Sequence, residues 1–261
     1  MPIETPTATL YQLSTKVWYA GLVLDLTSAT AVFDPNGGTV TLLATIENPG
    51  PDDRTPDFPI RITAAGEGFD PVHGTELPSV PAGGSADVLI SFDVPGRGGI
   101  DDAVIRIGRS SANQVLVPFG GGPVPLRTLE PVTLTTTGTA TAVDLRVTLR
   151  SGELRWDLPD WADEEPVNTA ALTLTYDAVY QGSAPGGFPF TADSVTLTLP
   201  DGSTIKPRAD GRSQSIAQLA KGAAQTGLSS RFDVPAGLPG TYTLVIHNGT
   251  ARGTVSFTVP A

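Results

Sequence analysis

Thr39-Val40-Thr41-Leu42-Leu43-Ala44-Thr45-Ile46 puts Val40, Leu42, Ala44 and Ile46 on one side of an extended chain, the pattern of a strand with one face buried. The same period of two recurs along the chain: Ile60 to Thr63, Asp87 to Phe92, Ala103 to Ile107 and Val115 to Val117, then Val143 to Leu149, Ala171 to Tyr176, Ser194 to Leu199, Tyr242 to Ile246 and Thr254 to Val259. Gly, Pro, Asn or Asp bounds each run. Asp34-Pro35-Asn36-Gly37-Gly38 supplies the residues of a hairpin turn ahead of the first of them. With 29 glycines and 24 prolines in 261 residues, the composition supplies turns for many short strands, while 39% hydrophobic residues suffice for packed cores. One helix is expected, Ser213 to Lys221, with Ser213 as its N-cap. The fold class is all-β.

The two halves match one another. Phe92-Asp93-Val94-Pro95 lines up with Phe232-Asp233-Val234-Pro235, after which Ala103–Gly108 corresponds to Tyr242–His247 and Leu116–Pro118 to Thr258–Pro260. Upstream, Leu24–Asp34 can be laid on Leu145–Asp157, and Thr39–Asn48 on Ala170–Val179. Internal duplication follows. Gly120-Gly121-Gly122-Pro123-Val124-Pro125 is a flexible joint leading into a stiffer stretch. The expected organisation is an extended tether over 1–15, a first antiparallel β-sandwich over 16–119, a linker over 120–126 and a second sandwich over 127–261, with an added acidic loop at 155–166.

Val17-Trp18-Tyr19-Ala20-Gly21, the strand-and-turn Ala44-Thr45-Ile46-Glu47-Asn48-Pro49-Gly50, and the turn Pro78 to Gly84 leading into an alternating strand all point one way. On these residues the chain resembles the tandem immunoglobulin-like modules of bacterial secreted proteins and lipoproteins. The resemblance implies two immunoglobulin-like sandwiches in an envelope or extracellular role, and it brings no catalytic residues with it.

The formal net charge of −11 repels a phosphate backbone or an anionic bilayer, so nucleic acid and membrane-surface partners are not expected. No apolar stretch reaches the ~20 residues of a membrane span. The absence of cysteine excludes disulfides, thiolate ligands and a cysteine nucleophile. Met1-Pro2-Ile3-Glu4 lacks the basic and apolar regions of a leader, and the Thr/Pro-rich Pro2 to Thr9 reads as the tether that follows a trimmed leader or anchor. The expected location is extracellular or the cell envelope, with the cytoplasm as the alternative. Few lysines (Lys16, Lys206 and Lys221) beside many arginines fit a bacterial gene of high GC content.

Chemistry concentrates in Arg155-Trp156-Asp157-Leu158-Pro159-Asp160-Trp161-Ala162-Asp163-Glu164-Glu165. Its carboxylates, Asp157, Asp160, Asp163, Glu164 and Glu165, suit calcium, which takes six to eight oxygen ligands, although their spacing is not that of an EF-hand loop. Trp156 and Trp161 offer flat faces for stacking on a sugar ring. The plainer reading is a solvated acidic loop whose tryptophans tuck against the sandwich. Trp18 and Tyr19 divide in the same way, one expected in the core and one at the surface. His73 and His247 lack further ligands at metal-binding spacing. No nucleophile elbow, zinc-protease helix or phosphate loop occurs, and Asn248-Gly249-Thr250 reads as a hairpin turn.

The expectation is a non-enzymatic binding, adhesion or scaffold protein with no cofactor other than calcium, partnered by protein or glycan at a cell surface. A carbohydrate-binding module and a self-assembling structural subunit are the alternatives. Self-association would use Thr254 to Val259 or the apolar segment Leu10 to Leu26.

Overall fold

The computed structural model describes residues 7–34, 37–120, 122–157, 165–208 and 215–260. Every long element is a strand, all named strand pairs are antiparallel, and the described residues contain no α-helix. The chain divides into two compact units. The first takes Met1–Glu130 together with Asp157–Val167, and the second takes Pro131–Trp156 and Asn168–Ala261.

The first unit is built from β1 (Thr7–Tyr19), β2 (Leu22–Asp34), β3 (Gly37–Glu47), β4 (Ile60–Ala64), β5 (Glu67–Phe69), β6 (Ser85–Val94), β7 (Val104–Ile107) and β8 (Val115–Pro118). They form two sheets, in the orders β1-β2-β3-β6 and β5-β4-β7-β8. Val40, Leu42, Ala44 and Ile46 are all buried on β3, as the alternation requires. On β2 the alternation changes phase. Leu22, Leu24 and Leu26 face the core, and so do Ala29, Ala31 and Phe33. A bulge reconciles them, because Leu26 pairs with Ala44 and Ser28 with Leu43, leaving Thr27 as the extra residue. Phe92 of β6 lies opposite Val40.

Residues 7–15, expected in the tether, form the first part of β1. Tyr11 holds them down: its ring lies 4.8 Å from that of Phe119 and its hydroxyl donates to Asp101 Oδ1 at 2.6 Å. Of the adjacent aromatics, Tyr19 is the core residue, with its ring 5.0 Å from Phe58, while Trp18 is half-buried. The first unit also extends past the expected linker. Leu116 and Arg127 exchange backbone hydrogen bonds at 2.9 and 3.0 Å, Trp18 N–H donates to Thr128 O at 2.8 Å, and Leu129 is buried.

The second unit is built from β9 (Val132–Leu134), β10 (Gly138–Ala142), β11 (Leu145–Arg155), β12 (Thr169–Tyr180), β13 (Phe188–Phe190), β14 (Val195–Thr198), β15 (Thr204–Ile205), β16 (Ala217–Leu219), β17 (Ala224–Pro235), β18 (Gly240–Asn248) and β19 (Ala251–Val259). One sheet runs β10-β11-β12-β17, with β9 also on β11; another runs β15-β14-β18-β19; β13 and β16 make a two-stranded ribbon. Their inward residues make one apolar cluster, from Leu145 and Tyr176 through Phe232 to Leu244 and Phe257. On β11 a bulge leaves Arg150 over, since Leu149 pairs with Tyr176 and Ser151 with Thr175. Phe232 of β17 lies opposite Leu172. Asn248 pairs with Ala251, so Gly249 and Thr250 are the hairpin turn expected there.

The expected helix Ser213 to Lys221 is not formed. Ala217–Leu219 is β16, paired with Phe188–Phe190 of β13, and residues 209–214 lie outside the described set. Alternation decides this: Leu219 is buried, Gln218 is exposed and donates from its side chain to Gly186 O, and tertiary pairing outweighs the weak local preference for helix.

Gly253 lets β19 pass against β10. A Cβ there would stand 2.5 Å from the carbonyl carbon and oxygen of Thr141, backbone atoms that cannot swing aside. Gly253→Ala is expected to cost about 2–3 kcal/mol as the strands are forced apart. The check is the urea midpoint of the second unit, and an unchanged midpoint would refute the close approach.

Candidate functional site

Asp157 and Glu165 bracket the acidic loop and belong to the first unit. Asp160, Trp161, Asp163 and Glu164 lie outside the described residues. Asp157 serves the β1–β2 turn, where Ala20 and Gly21 both have positive φ, at 55° and 72°. Such a two-residue turn follows the right-handed twist of its strands but leaves its N–H groups pointing away from the ladder. Ala20 N–H donates to Asp157 O at 3.1 Å, and Gly21 N–H donates to Asp157 Oδ2 at 3.2 Å. From the other side Arg54 Nη1 donates to Ala20 O at 2.7 Å. Asp157 as a whole is only 4% exposed and supports the turn from within the unit.

Asn48 organises the neighbouring loop. Its Nδ2 lies 2.8, 3.0 and 3.2 Å from the carbonyls of Asp52, Val80 and Pro81, while its Oδ1 accepts from Gly50 N–H at 3.0 Å. The Glu47-Asn48-Pro49-Gly50 motif thereby has a physical meaning, because a buried primary amide alone offers donors and an acceptor in one short side chain. Glu165, also buried, accepts at its backbone carbonyl from Asn113 N–H at 2.9 Å, and Asn113 Oδ1 accepts from Arg127 at 2.9 Å.

Trp156 belongs to the second unit and packs, partly buried, against its apolar core. Among the described residues no three His, Asp or Glu side chains are gathered as metal ligands. His73 is exposed in its loop. His247 Nε2 lies 2.9 Å from Thr196 Oγ1, and burial, with Arg252 and Lys206 nearby, pulls its pKa below the ordinary imidazole range. No protein-family model and no curated protein matches the chain.

Two other features lie away from the acidic loop. A groove of about 500 Å³ in the first unit is walled by Asp57, Phe58, Asp70, Glu76 and Arg109. Its charged residues come from three connections, with Asp70 and Glu76 in the same one, and Asp70 is already held by Arg61, whose Nη2 donates at 3.0 Å. The second feature is the outer face of the β1-β2-β3-β6 sheet, where Leu10, Val32, Leu43 and Leu89 are exposed. The alternation that buries Val40, Leu42 and Ala44 is also what turns Leu43 outward.

Proposed function

We propose that the chain is a pair of immunoglobulin-like sandwiches, related by duplication, acting as a non-enzymatic binding or scaffold protein of the bacterial envelope or exterior. The observation that carries this reading is a shared order of strands. In one unit β2-β3-β6 and β5-β4-β7-β8 are the two sheets; in the other they are β11-β12-β17 and β15-β14-β18-β19. Taken in chain order, both correspond to strands A, B, E and C′, C, F, G of an immunoglobulin-like sandwich. Each unit adds one hairpin strand, β1 or β10, beside the first of these.

Finer features support common origin. The bulges on β2 and β11 both follow the third inward residue, after Leu22, Leu24 and Leu26 and after Leu145, Val147 and Leu149. The Phe-Asp-Val-Pro segments occupy corresponding strands, with Phe92 opposite Val40 and Phe232 opposite Leu172. Independent sandwiches have no reason to share a bulge position and a pairing register as well as an order.

The work of binding falls to faces and loops rather than to a reactive centre, and the acidic loop is read as structural, with no cofactor. Two measurements test this. Fractionation of the source cells is expected to place the protein in the envelope or medium, and a purely cytosolic distribution would overturn the location. A thermal melt in a few millimolar calcium against EDTA is expected to shift by less than about 1 °C, whereas saturation 100-fold above Kd would add about 2.7 kcal/mol. A calcium-dependent rise would instead make the 157–165 loop a metal site.

A further inference from the structure

We propose that the outer face of the β1-β2-β3-β6 sheet is the interface of a two-fold dimer of this chain, formed face to face. The inference goes beyond the binding reading and does not depend on it. Every second residue of 8–12, 28–32, 39–43 and 89–93 shares the middle of this face by register, and those twelve positions carry one charge, Asp93, while the outer rows add Lys16, Asp25, Asp34, Glu47 and Asp87. In a chain of net charge −11, such a stretch adds little to the repulsion between two approaching copies.

The apolar side chains in the middle of the face are open to solvent: Leu89 is 65% exposed, Leu10 57%, Leu43 40% and Val32 38%. Leu43 and Leu89 are direct cross-strand partners. The polar groups between them are turned along the sheet. Thr41 Oγ1 lies 3.3 Å from Ser91 Oγ, Thr45 Oγ1 donates to Asp87 at 2.7 Å, and Thr39 Oγ1 donates to Asp93 at 3.5 Å. Hydroxyls already satisfied within the sheet lose little when water is removed.

Size and charge both favour a second copy as the occupant. Four strands spaced about 4.8 Å apart, each presenting about 30–35 Å of length, give a face of roughly 600 Å² per copy, so that two copies reach the low end of stable interfaces. Lys16 is the one basic residue on this face among the described residues, in a row with Asp25, Thr45 and Asp87. A two-fold axis along the strands lays β1 of one copy over β6 of the other. That brings Lys16 over the partner's Asp87, twice by symmetry, and Leu10 diagonally against the partner's Leu89. Lys16 is half exposed, held at 3.0 Å from Glu47, and its long stem can reach across.

Sedimentation velocity on the full chain at about 1–100 µM tests this, a range that reads a micromolar Kd directly. A reversible dimer is expected, tightening with added salt as the like net charges are screened. Leu43→Asp with Leu89→Asp is expected to weaken association at least about tenfold with an unchanged far-UV spectrum, because both side chains point to solvent in the monomer. Lys16→Asp alone is expected to weaken the dimer, and adding Asp87→Lys to restore it. A wild-type monomer at about 100 µM, a dimer indifferent to the leucine changes, or failure of the charge swap to rescue would each overturn the proposed geometry. Should the double leucine variant misfold, Leu89→Lys alone reads the same face.

Discussion

Asn48→Asp is expected to destabilise the first unit by about 3–5 kcal/mol at neutral pH, the range for an uncompensated buried charge. The side chain is 1% exposed, and its amide nitrogen faces three backbone carbonyls. A carboxylate of the same shape turns three attractions into repulsions and keeps only the bond from Gly50 N–H. The sign of the pH dependence follows. Burial and facing carbonyls raise the folded pKa of the new carboxyl above its unfolded value of about 3.9. The protonated form is the tolerated one, so the deficit against wild type is smallest below the unfolded pKa and grows as pH rises through the folded pKa. Urea unfolding of both proteins at about pH 4 and pH 7 measures the difference. An equal loss at both would remove the electrostatic part of the explanation. Asn48→Ala, which introduces no charge, is expected to fall between the two, at about 2–3 kcal/mol.

The second large effect concerns where the first unit ends. A fragment of residues 1–130 lacks Asp157–Val167, which are part of that unit. It loses the acceptors of Ala20 N–H, Gly21 N–H and Asn113 N–H, along with the bridge between Ala112 and Pro166. At about 1–3 kcal/mol for a buried donor left without its acceptor, as at Asn113, and less for the part-buried donors of Ala20 and Gly21, which water relieves, the expected loss together with the rest of the segment's packing is about 3–5 kcal/mol, much of the stability of a domain of this size. The fragment is expected to give a broadened thermal transition and poor amide dispersion by NMR. Joining residues 157–167 to it through a flexible linker is expected to restore both. A fragment 1–130 as stable as the first unit of the whole chain would show that these contacts contribute nothing.

Strands were legible wherever one face is buried and the other wet. The β3 pattern fixed its inward set by counting in twos, and both Phe-Asp-Val-Pro segments read as strand because a buried Phe and Val flank an outward Asp in each. The β1 segment was harder: Thr7–Thr15 is polar enough to read as tether, and its place depends on Tyr11 finding Phe119 and Asp101, residues about ninety or more positions away. The same limit explains the expected helix, since the partner that makes Ala217–Leu219 a strand is β13, well upstream. Val143, expected to open a strand, lies instead in the β10–β11 turn with φ 52°, a conformation that β-branched residues avoid. At the acidic loop, composition suggested ligands, yet Asp157 is used by a turn more than a hundred residues away. Spacing along a chain carries no information about such a partner. The outward leucines were visible in the alternation all along, on the parity opposite to the one that defines the core.

The discontinuity of the first unit also orders events during synthesis. Ala20, Gly21 and Asn113 emerge from the ribosome well before the residues that satisfy them. At about 5–20 residues per second, the stretch from Glu130 to Val167 takes roughly 2–7 s to translate. Throughout that interval the nascent first unit has all its strands but not its closing segment. It is then most open to chaperones and proteases, and codon choice between these two points sets how long that exposure lasts.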